Sequence, residues 1–141
     1  IADGLEEKTG KPHHNLKAAT FNEAVREMSI LSTALGADPA TAYGLPGVGD
    51  LEVTGLSGRN KVYGVRIGRG EGAKGALQAM TELEQTVEGV PALPLAISLV
   101  EQSAPQIKDR LPLLYAARQI VEEDVPDYAT VLARAVLPPK P

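Results

Sequence analysis

Apolar residues recur every three or four positions along residues 15–35. The apolar positions are Phe21, Val25, Met28, Leu31 and Leu35. This spacing predicts one face of an α-helix that packs against a core. Gly36, followed closely by Asp38-Pro39, predicts where the helix ends. The first 14 residues, rich in Gly, Pro, Lys and Glu, predict a loop or a short helix.

Local signals for helix starts are less definite. Thr20 with Glu23 has capping-box spacing, and Asn15 is also a favourable N-cap residue for the same helix. A second pair with capping-box spacing, Thr81 with Glu84, follows a short apolar face at residues 76–80. The spacing therefore predicts a capping box at each pair, with Asn15 as the alternative start of the first helix.

The second half of the chain returns to helical spacing. It predicts helices at residues 93–100, 111–121 and 129–137, with a break at Pro105 and an end at Pro138-Pro139. Between Tyr43 and Gly75 lie ten of the chain's 14 glycines, which favours short helices joined by tight turns. The best strand candidate, residues 61–67, is interrupted by Gly64. The prediction is an all-α fold with a glycine-rich central loop.

Composition narrows the class of protein. A length of 141 residues favours one domain, and 43% hydrophobic with 23% charged residues excludes a disordered tail. The net charge of −4 argues against a nucleic acid or an anionic membrane as partner. The longest apolar stretch, residues 90–100, is too short for a membrane span of about 20 residues. The chain has no cysteine, which excludes disulfides and thiol chemistry.

Three familiar kinds of site find little support. Adjacent side chains diverge, so His13-His14 predicts polar loop residues and no metal site. Ser57 lacks the G-x-S-x-G context of a hydrolase nucleophile. Glu122-Glu123-Asp124 closes a predicted amphipathic helix and is expected to face water.

Residues 70–75 match the G-x-G-x-x-G pattern of dinucleotide-binding loops. That fingerprint requires a buried strand before it and a second strand after the following helix. Residues 65–69 are too broken for such a strand, and nothing downstream has the pattern of the second. We therefore expect an ordinary turn at the start of a helix.

The densest group of chemically active residues lies at 44–61. This stretch holds a carboxylate, a hydroxyl, an Arg-Asn pair and several glycines that allow a ligand to approach the backbone. The planar fork of arginine matches two oxygens of a phosphate. A solvated surface loop would have the same composition, so composition alone leaves both interpretations open.

The order of residues in this stretch resembles a known signature. G-L-P-G-V-G-D-L-E-V-T at 44–54, followed by S-G-R-N-K at 57–61, is similar to the GLxGxGDLxxT…RN signature of NAD(P)-dependent glycerol-3-phosphate dehydrogenases. Further matches lie before and after this stretch and occur in the family's order. They are Ala2-Asp3-Gly4-Leu5, Asn15-Leu16-Lys17-Ala18-Ala19, Glu27-Met28, Leu35-Gly36-Ala37, Val87-Glu88-Gly89 and Leu111-Pro112-Leu113.

The resemblance implies an all-α domain of the 6-phosphogluconate dehydrogenase C-terminal-like type. Residues 1–141 would form the C-terminal substrate-binding domain of a cytoplasmic, homodimeric oxidoreductase that supplies glycerophospholipid precursors. The intact enzyme would interconvert glycerol 3-phosphate and dihydroxyacetone phosphate. NAD or NADP would be bound mainly by an N-terminal domain that lies before Ile1, so we expect this chain alone to be inactive.

The resemblance also implies roles for particular residues. Asp50 would contact the substrate and would position and ionise a catalytic lysine of the missing domain. Thr54 would hydrogen-bond near the substrate's oxygens, and both residues are therefore predicted to be catalytic. No metal is expected.

The predicted binding residues follow the same signature. Arg59 and Asn60 would bind the substrate's phosphate, Gly58 would also contact the substrate, and Arg59 would lie near the pyrophosphate of the cofactor. Thr86 and Glu88 would approach the cofactor's ribose side. Gly58 replaces the serine of many bacterial members, which removes a hydroxyl contact to the substrate.

The chain departs from the family pattern at Glu23, where an arginine is usual in the long helix. Two other classes of function also stay open, because the family's active-site lysines would lie before Ile1. The chain could be a helical dimerisation or interaction module, or the substrate domain of another hydroxyacid dehydrogenase. The Arg-Asn pair after G-V-G-D argues against the second alternative.

Overall fold

The computed structural model describes residues 1–137, so the helix end predicted at Pro138-Pro139 lies outside the described residues. Within that span the backbone forms eight α-helices and no strand. The α-helices are α1 (Ala2–Thr9), α2 (His14–Ala34), α3 (Asp50–Ser57), α4 (Arg59–Arg69), α5 (Ala73–Glu82), α6 (Gly89–Ser103), α7 (Pro112–Glu122) and α8 (Tyr128–Val136). The predicted all-α fold is confirmed.

The long helix α2 coincides with the apolar spacing of residues 15–35. Val25 is buried in its middle, as the pattern predicts. Phe21 and Leu35, however, are 38% and 44% exposed. The periodicity located the helix correctly, but it overstated how much of the apolar face reaches the core.

Both predicted capping boxes are wrong. Thr20 lies inside α2, where its hydroxyl donates to the Leu16 carbonyl at 2.7 Å. Thr81 lies in the last turn of α5, and its hydroxyl donates to the Leu77 carbonyl at 2.9 Å. Threonine hydroxyls within helices commonly bond the carbonyl four residues back, which the capping-box spacing alone does not reveal.

A side chain from another helix satisfies the start of α2. The N–H of His13, the residue before α2, donates to Glu6 Oε1 at 2.6 Å. Neither Asn15 nor Thr20 takes this position. Glu6 belongs to α1, so the contact also ties the first two helices together.

The glycine-rich centre forms short helical segments, as predicted. The 3₁₀-helix Pro39–Tyr43 and the π-helical turn Leu45–Gly49 lead directly into α3. A Cβ atom at Gly47 would lie 2.0 Å from the carbonyl oxygen of Ala42, so only glycine fits this crossing. The rejected strand candidate, residues 61–67, is helical and belongs to α4.

Helices α1 and α4 cross with their backbones in contact. A Cβ at Gly4 would lie 2.0 Å from the Val65 carbonyl oxygen, and one at Gly68 would lie 2.1 Å from the Ile1 carbonyl oxygen. The two glycines therefore set the distance between the helices. The same crossing fixes where the first turn of α4 lies.

In the described part of the chain, two apolar clusters form the core. The larger unites α1, α2, α4, α5, α7 and α8, and among its most buried side chains are Ile67, Met80 and Ile120. The smaller surrounds the 3₁₀-helix Pro105–Arg110 and contains Val100, Ala104, Ile107 and Leu111. No helix in the described part of the chain is long and apolar enough to cross a bilayer.

The buried carboxylate of Glu27 connects α2 to α7. Its oxygens accept the backbone N–H groups of Leu113 at 2.5 Å and Leu114 at 2.9 Å, in the first turn of α7. Only 7% of Glu27 is exposed. Burial raises the pKa of Glu27 to about 7, although the two backbone hydrogen bonds act in the opposite direction.

This raised pKa predicts a pH-dependent stability. The folded state holds the Glu27 proton more tightly than the unfolded state, whose pKa is about 4.3. The contribution of Glu27 to the free energy of unfolding is therefore fully present near pH 4 and is lost as the pH rises through about 7. Denaturant titrations give the free energy of unfolding at pH 5 and at pH 8. Between these two pH values, the free energy of unfolding should fall by about 1–3 kcal/mol less in Glu27→Gln than in the wild type. Equal losses in both proteins would contradict the assignment.

Candidate functional site

A single residue, Gly58, joins α3 to α4. Its N–H donates to the Thr54 carbonyl at 2.9 Å, and a Cβ at Gly58 would lie 2.6 Å from the same oxygen. This close approach explains glycine at a position where the family resemblance suggests serine. The Thr54 hydroxyl donates to the Asp50 carbonyl at 2.7 Å, so both predicted catalytic residues lie one turn apart on α3. Both are exposed.

Arg59 and Asn60 form the first turn of α4 and contact the start of α6. The Arg59 guanidinium donates to Glu88 Oε1 at 2.6 Å, and Asn60 Oδ1 accepts the Gly89 N–H at 3.0 Å. The structure thus brings three predicted binding residues together. Gly89 was not predicted to contact the site, although it follows Glu88 in the V-E-G motif.

The Arg59–Glu88 ion pair is open to solvent. The side chains are 51% and 72% exposed, and an exposed pair of this kind contributes about 0–1 kcal/mol to stability. A ligand with a higher charge than one carboxylate could therefore replace Glu88 as the partner of Arg59. Glu88 thus positions the Arg59 guanidinium through a contact that a ligand can replace.

The start of α4 is also open as a helix terminus. Gly58 occupies the N-cap position and offers no side chain, so within residues 1–137 no side-chain oxygen caps the first turn. The N–H groups of that turn have no partner within the helix, and the helix dipole places partial positive charge there. An arginine beside such a terminus makes a suitable environment for an anion.

Thr86 lies apart from the other candidates. It is exposed and lines a separate hollow with Leu77, Thr81 and Val87. In the described part of the chain, no hydrogen bond joins it to Asp50, Thr54, Gly58, Arg59, Asn60 or Glu88. Its predicted contact to a cofactor stays a prediction.

A cavity of about 490 Å³ adjoins the corner between α3 and α4. Among the predicted site residues it is lined by Asn60 alone, while Leu51 and Gly55 contribute the neighbouring face of α3. Apolar side chains of α2 and α7, including Phe21 and Val121, form much of its wall. The partly exposed Phe21 therefore lines this cavity and does not pack into the core.

Three charged residues at this cavity had not been predicted. Asp3, Lys17 and Lys61 line it, and Asp3 forms ion pairs with both lysines. Lys17 also pairs with Glu6. These residues come from three helices, and no local pattern in the sequence predicts that they meet. Each of them did lie in a segment that resembles the family: Asp3 in residues 2–5, Lys17 in residues 15–19 and Lys61 beside the Arg-Asn pair.

The G-x-G-x-x-G match at 70–75 is a turn at the start of α5, as expected. Asp124 Oδ1 accepts the backbone N–H groups of Ala73 at 2.5 Å and Lys74 at 3.3 Å. A carboxylate of the chain therefore occupies the place where a pyrophosphate would bind. The prediction that Asp124 faces water is wrong, because this residue turns back to cap α5.

The histidine pair shows no convergence of ligands. His13 precedes α2 and His14 begins it, and Thr9 Oγ1 lies 3.4 Å from His13 Nε2. Within residues 1–137, no group of three or more His, Asp or Glu side chains could hold a metal ion.

The fold is all-helical, and at the corner between α3 and α4 an arginine lies beside a helix start with glycine at its N-cap. Comparison with known proteins extends this description. Residues 1–131 match the family model described as NAD-dependent glycerol-3-phosphate dehydrogenase C-terminus. The chain therefore belongs to this family.

Individual relatives carry a related name. The chain is 37% identical to the glycerol-3-phosphate dehydrogenase [NAD(P)+] of Staphylococcus epidermidis over 114 residues, which is 79% of the chain and 32% of the relative. It is 32% identical to the protein of that name from Geobacter metallireducens, covering 99% of the chain and 40% of the relative. The chain thus spans a third to two fifths of the length of these curated relatives. No solved structure matches the chain significantly.

The Asp124 contact generates a prediction about stability. Asp124→Ala should lower the free energy of unfolding by about 0.5–2 kcal/mol through loss of a helix cap. Glu84→Ala is the matched control, because Glu84 shares a positive φ (56° against 52°), and no side-chain hydrogen bond of Glu84 occurs in the described part. Urea denaturation of both variants should show the larger loss for Asp124→Ala. Equal losses would mean that backbone conformation, and not capping, explains the effect.

Proposed function

We propose that residues 1–141 form the C-terminal substrate-binding domain of an enzyme that interconverts glycerol 3-phosphate and dihydroxyacetone phosphate. Family membership supports the reaction. The observation that carries the assignment to this site is the uncapped start of α4, where Arg59 and Asn60 lie together. The expected role in supplying glycerophospholipid precursors follows from the same reaction.

The phosphate of the substrate would bind at the first turn of α4. A phosphate dianion offers several acceptor oxygens, and Arg59 can donate two parallel hydrogen bonds to it. Backbone N–H groups of the open helix terminus would share the charge. The Glu88 side chain is 72% exposed, so water solvates its carboxylate when the Arg59 guanidinium changes partner. Little free energy is therefore lost when this ion pair breaks.

Asp50 and Thr54 would contact the reacting end of the substrate. The Thr54 hydroxyl already donates to the Asp50 carbonyl, and its oxygen keeps lone pairs that can accept from a substrate hydroxyl. The Asp50 carboxylate would hold the ammonium group of a lysine supplied from outside this chain. Both roles rest on the signature at 44–54 and on the position of α3 beside α4.

NAD or NADP would supply the hydride donor or acceptor for C2 of the substrate. Within the described residues, the start of α5 does not fit a pyrophosphate because Asp124 occupies it. The family resemblance would place Arg59 and Glu88, which contact each other, and the separate Thr86 near the edge of the cofactor. We therefore assign the main cofactor site to another domain and expect residues 1–141 alone to be inactive.

A second function, association with another copy, is supported by exposed apolar side chains. Tyr43, Leu45, Val53 and Leu56 are each more than 60% exposed on neighbouring segments. They are consistent with the homodimer that the family resemblance implies, and equally with contact to the remainder of the enzyme. A cytoplasmic location is proposed on the same resemblance.

The proposed phosphate site predicts the effect of Arg59→Lys in a full-length enzyme that contains this chain. Lysine keeps the charge but loses the planar fork. Loss of one charge-assisted hydrogen bond should lower kcat/KM for dihydroxyacetone phosphate by about 10- to 150-fold. The steady-state rate of NAD(P)H oxidation measures this change.

Lys74→Ala at the start of α5 is the control, because it removes a positive charge beside the other glycine-rich turn. It should change kcat/KM by much less than Arg59→Lys does. Adding phosphite to dihydroxyacetone, a substrate without phosphate, separates binding of the anion from orientation of the carbonyl. An active Arg59→Lys together with an inactive Lys74→Ala would mean that the phosphate binds at the start of α5 and not at the start of α4.

A further inference from the structure

The first turn of α4 is held from two sides. Arg59 and Asn60 contact the start of α6, whereas the next residue, Lys61, turns toward α1. There the Lys61 ammonium pairs with one carboxylate oxygen of Asp3. The three consecutive residues therefore connect α4 to two different helices.

Asp3 connects two lysines at the edge of the cavity. Its Oδ1 pairs with Lys17 of α2 and its Oδ2 with Lys61 of α4. Lys17 has a second carboxylate partner in Glu6, whereas Lys61 has Asp3 alone among the ion pairs of the described part. Two ammonium side chains thus face two carboxylates in this cluster.

The degree of burial separates this contact from an ordinary surface pair. The Asp3 and Lys61 side chains are 27% and 31% exposed, so water screens their attraction only in part. A second ion pair between the same two helices, Glu7 with Arg69, is 49% and 50% exposed and lies at the far end of α4. The two pairs differ in burial and in distance along the helix from the phosphate-binding turn.

We propose that Asp3 is a positioning residue for substrate phosphate, acting through Lys61 on the Arg59–Asn60 turn. The proposal rests on the proposed function of that turn. Asp3 holds the Lys61 side chain against α1, which leaves Asn60 facing the cavity and Arg59 facing α6. The Glu7–Arg69 pair joins the same helices but has no such effect on the site.

Removal of the Asp3 charge has a defined consequence. Lys61 then loses its carboxylate while it is still mostly shielded from water, which is unfavourable for an ammonium group. The side chain moves toward solvent and carries the first turn of α4 with it. Lys17 is affected less, because Glu6 still pairs with it.

The test uses Asp3→Asn in a full-length enzyme that contains this chain. We expect kcat/KM for dihydroxyacetone phosphate to fall by about 3- to 30-fold, the usual range for coupling through a contact network, mainly through a higher KM. The KM for NAD(P)H and the kcat/KM for dihydroxyacetone without phosphate should not change. A purely structural defect would alter all of these values together.

Three further variants make the result specific. Glu7→Gln removes the other ion pair between α1 and α4 and should leave the kinetics at the wild-type level. Lys61→Met, which keeps the apolar stem, should reproduce the defect of Asp3→Asn. The double variant Asp3→Asn/Lys61→Met should be no worse than either single variant, because both changes break the same contact. Lys61→Met also provides the test if Asp3→Asn does not fold.

Each outcome decides between the two levels of the proposal. A wild-type enzyme that does not prefer the phosphorylated substrate, or a fully active Arg59→Lys, would overturn the proposed function itself. If Arg59→Lys is impaired while Asp3→Asn matches Glu7→Gln, the phosphate site stands and the positioning role of Asp3 is wrong. Additive defects in the double variant would likewise contradict action through Lys61.

Discussion

The close crossing of α1 and α4 is the constraint on which the site depends. Gly4 and Gly68 let the two backbones touch, since a Cβ at either position would lie about 2 Å from a carbonyl oxygen of the other helix. The first turn of α4 carries Arg59 and Asn60, so the crossing determines the position of the backbone from which these side chains extend. The Asp3–Lys61 ion pair then joins α1 to the first turn of α4. Backbone contact at Gly4 and Gly68 sets the distance between the two helices.

Helix starts in this fold differ in what satisfies their backbone N–H groups. Asp124 caps α5 and Glu27 caps α7, each from a distant part of the chain. The start of α4 has glycine at its N-cap, and among the described residues no side chain caps it. The carboxylate nearby, that of Glu88, contacts the Arg59 guanidinium. The glycine-rich turn at α5 is therefore already occupied by a carboxylate of the chain, whereas the backbone N–H groups at the start of α4 are not.

The sequence predicted the elements better than their connections. Periodic apolar residues located α2, and the 44–61 signature located the α3–α4 corner. Local spacing failed at Thr20 and Thr81, where the hydroxyls bond a carbonyl within their own helix. The caps from Asp124 and Glu27 were not predictable, because they join residues about 50 and 86 positions apart. The Asp3–Lys61 contact was missed for the same physical reason, since pairing across helices depends on packing that no local pattern encodes.

Unfolding measurements on Gly4→Ala test the central constraint most directly. Gly75→Ala is the control, because a Cβ at Gly75, also inside a helix, meets no atom within 4 Å. In equilibrium urea denaturation, Gly4→Ala should lower the free energy of unfolding by about 1–3 kcal/mol, because the added Cβ overpacks against the Val65 carbonyl. Gly75→Ala should gain about 0.5–1 kcal/mol from the higher helix propensity of alanine. A Gly4→Ala chain as stable as the wild type would contradict backbone contact between α1 and α4, and with it the account of how the site is positioned.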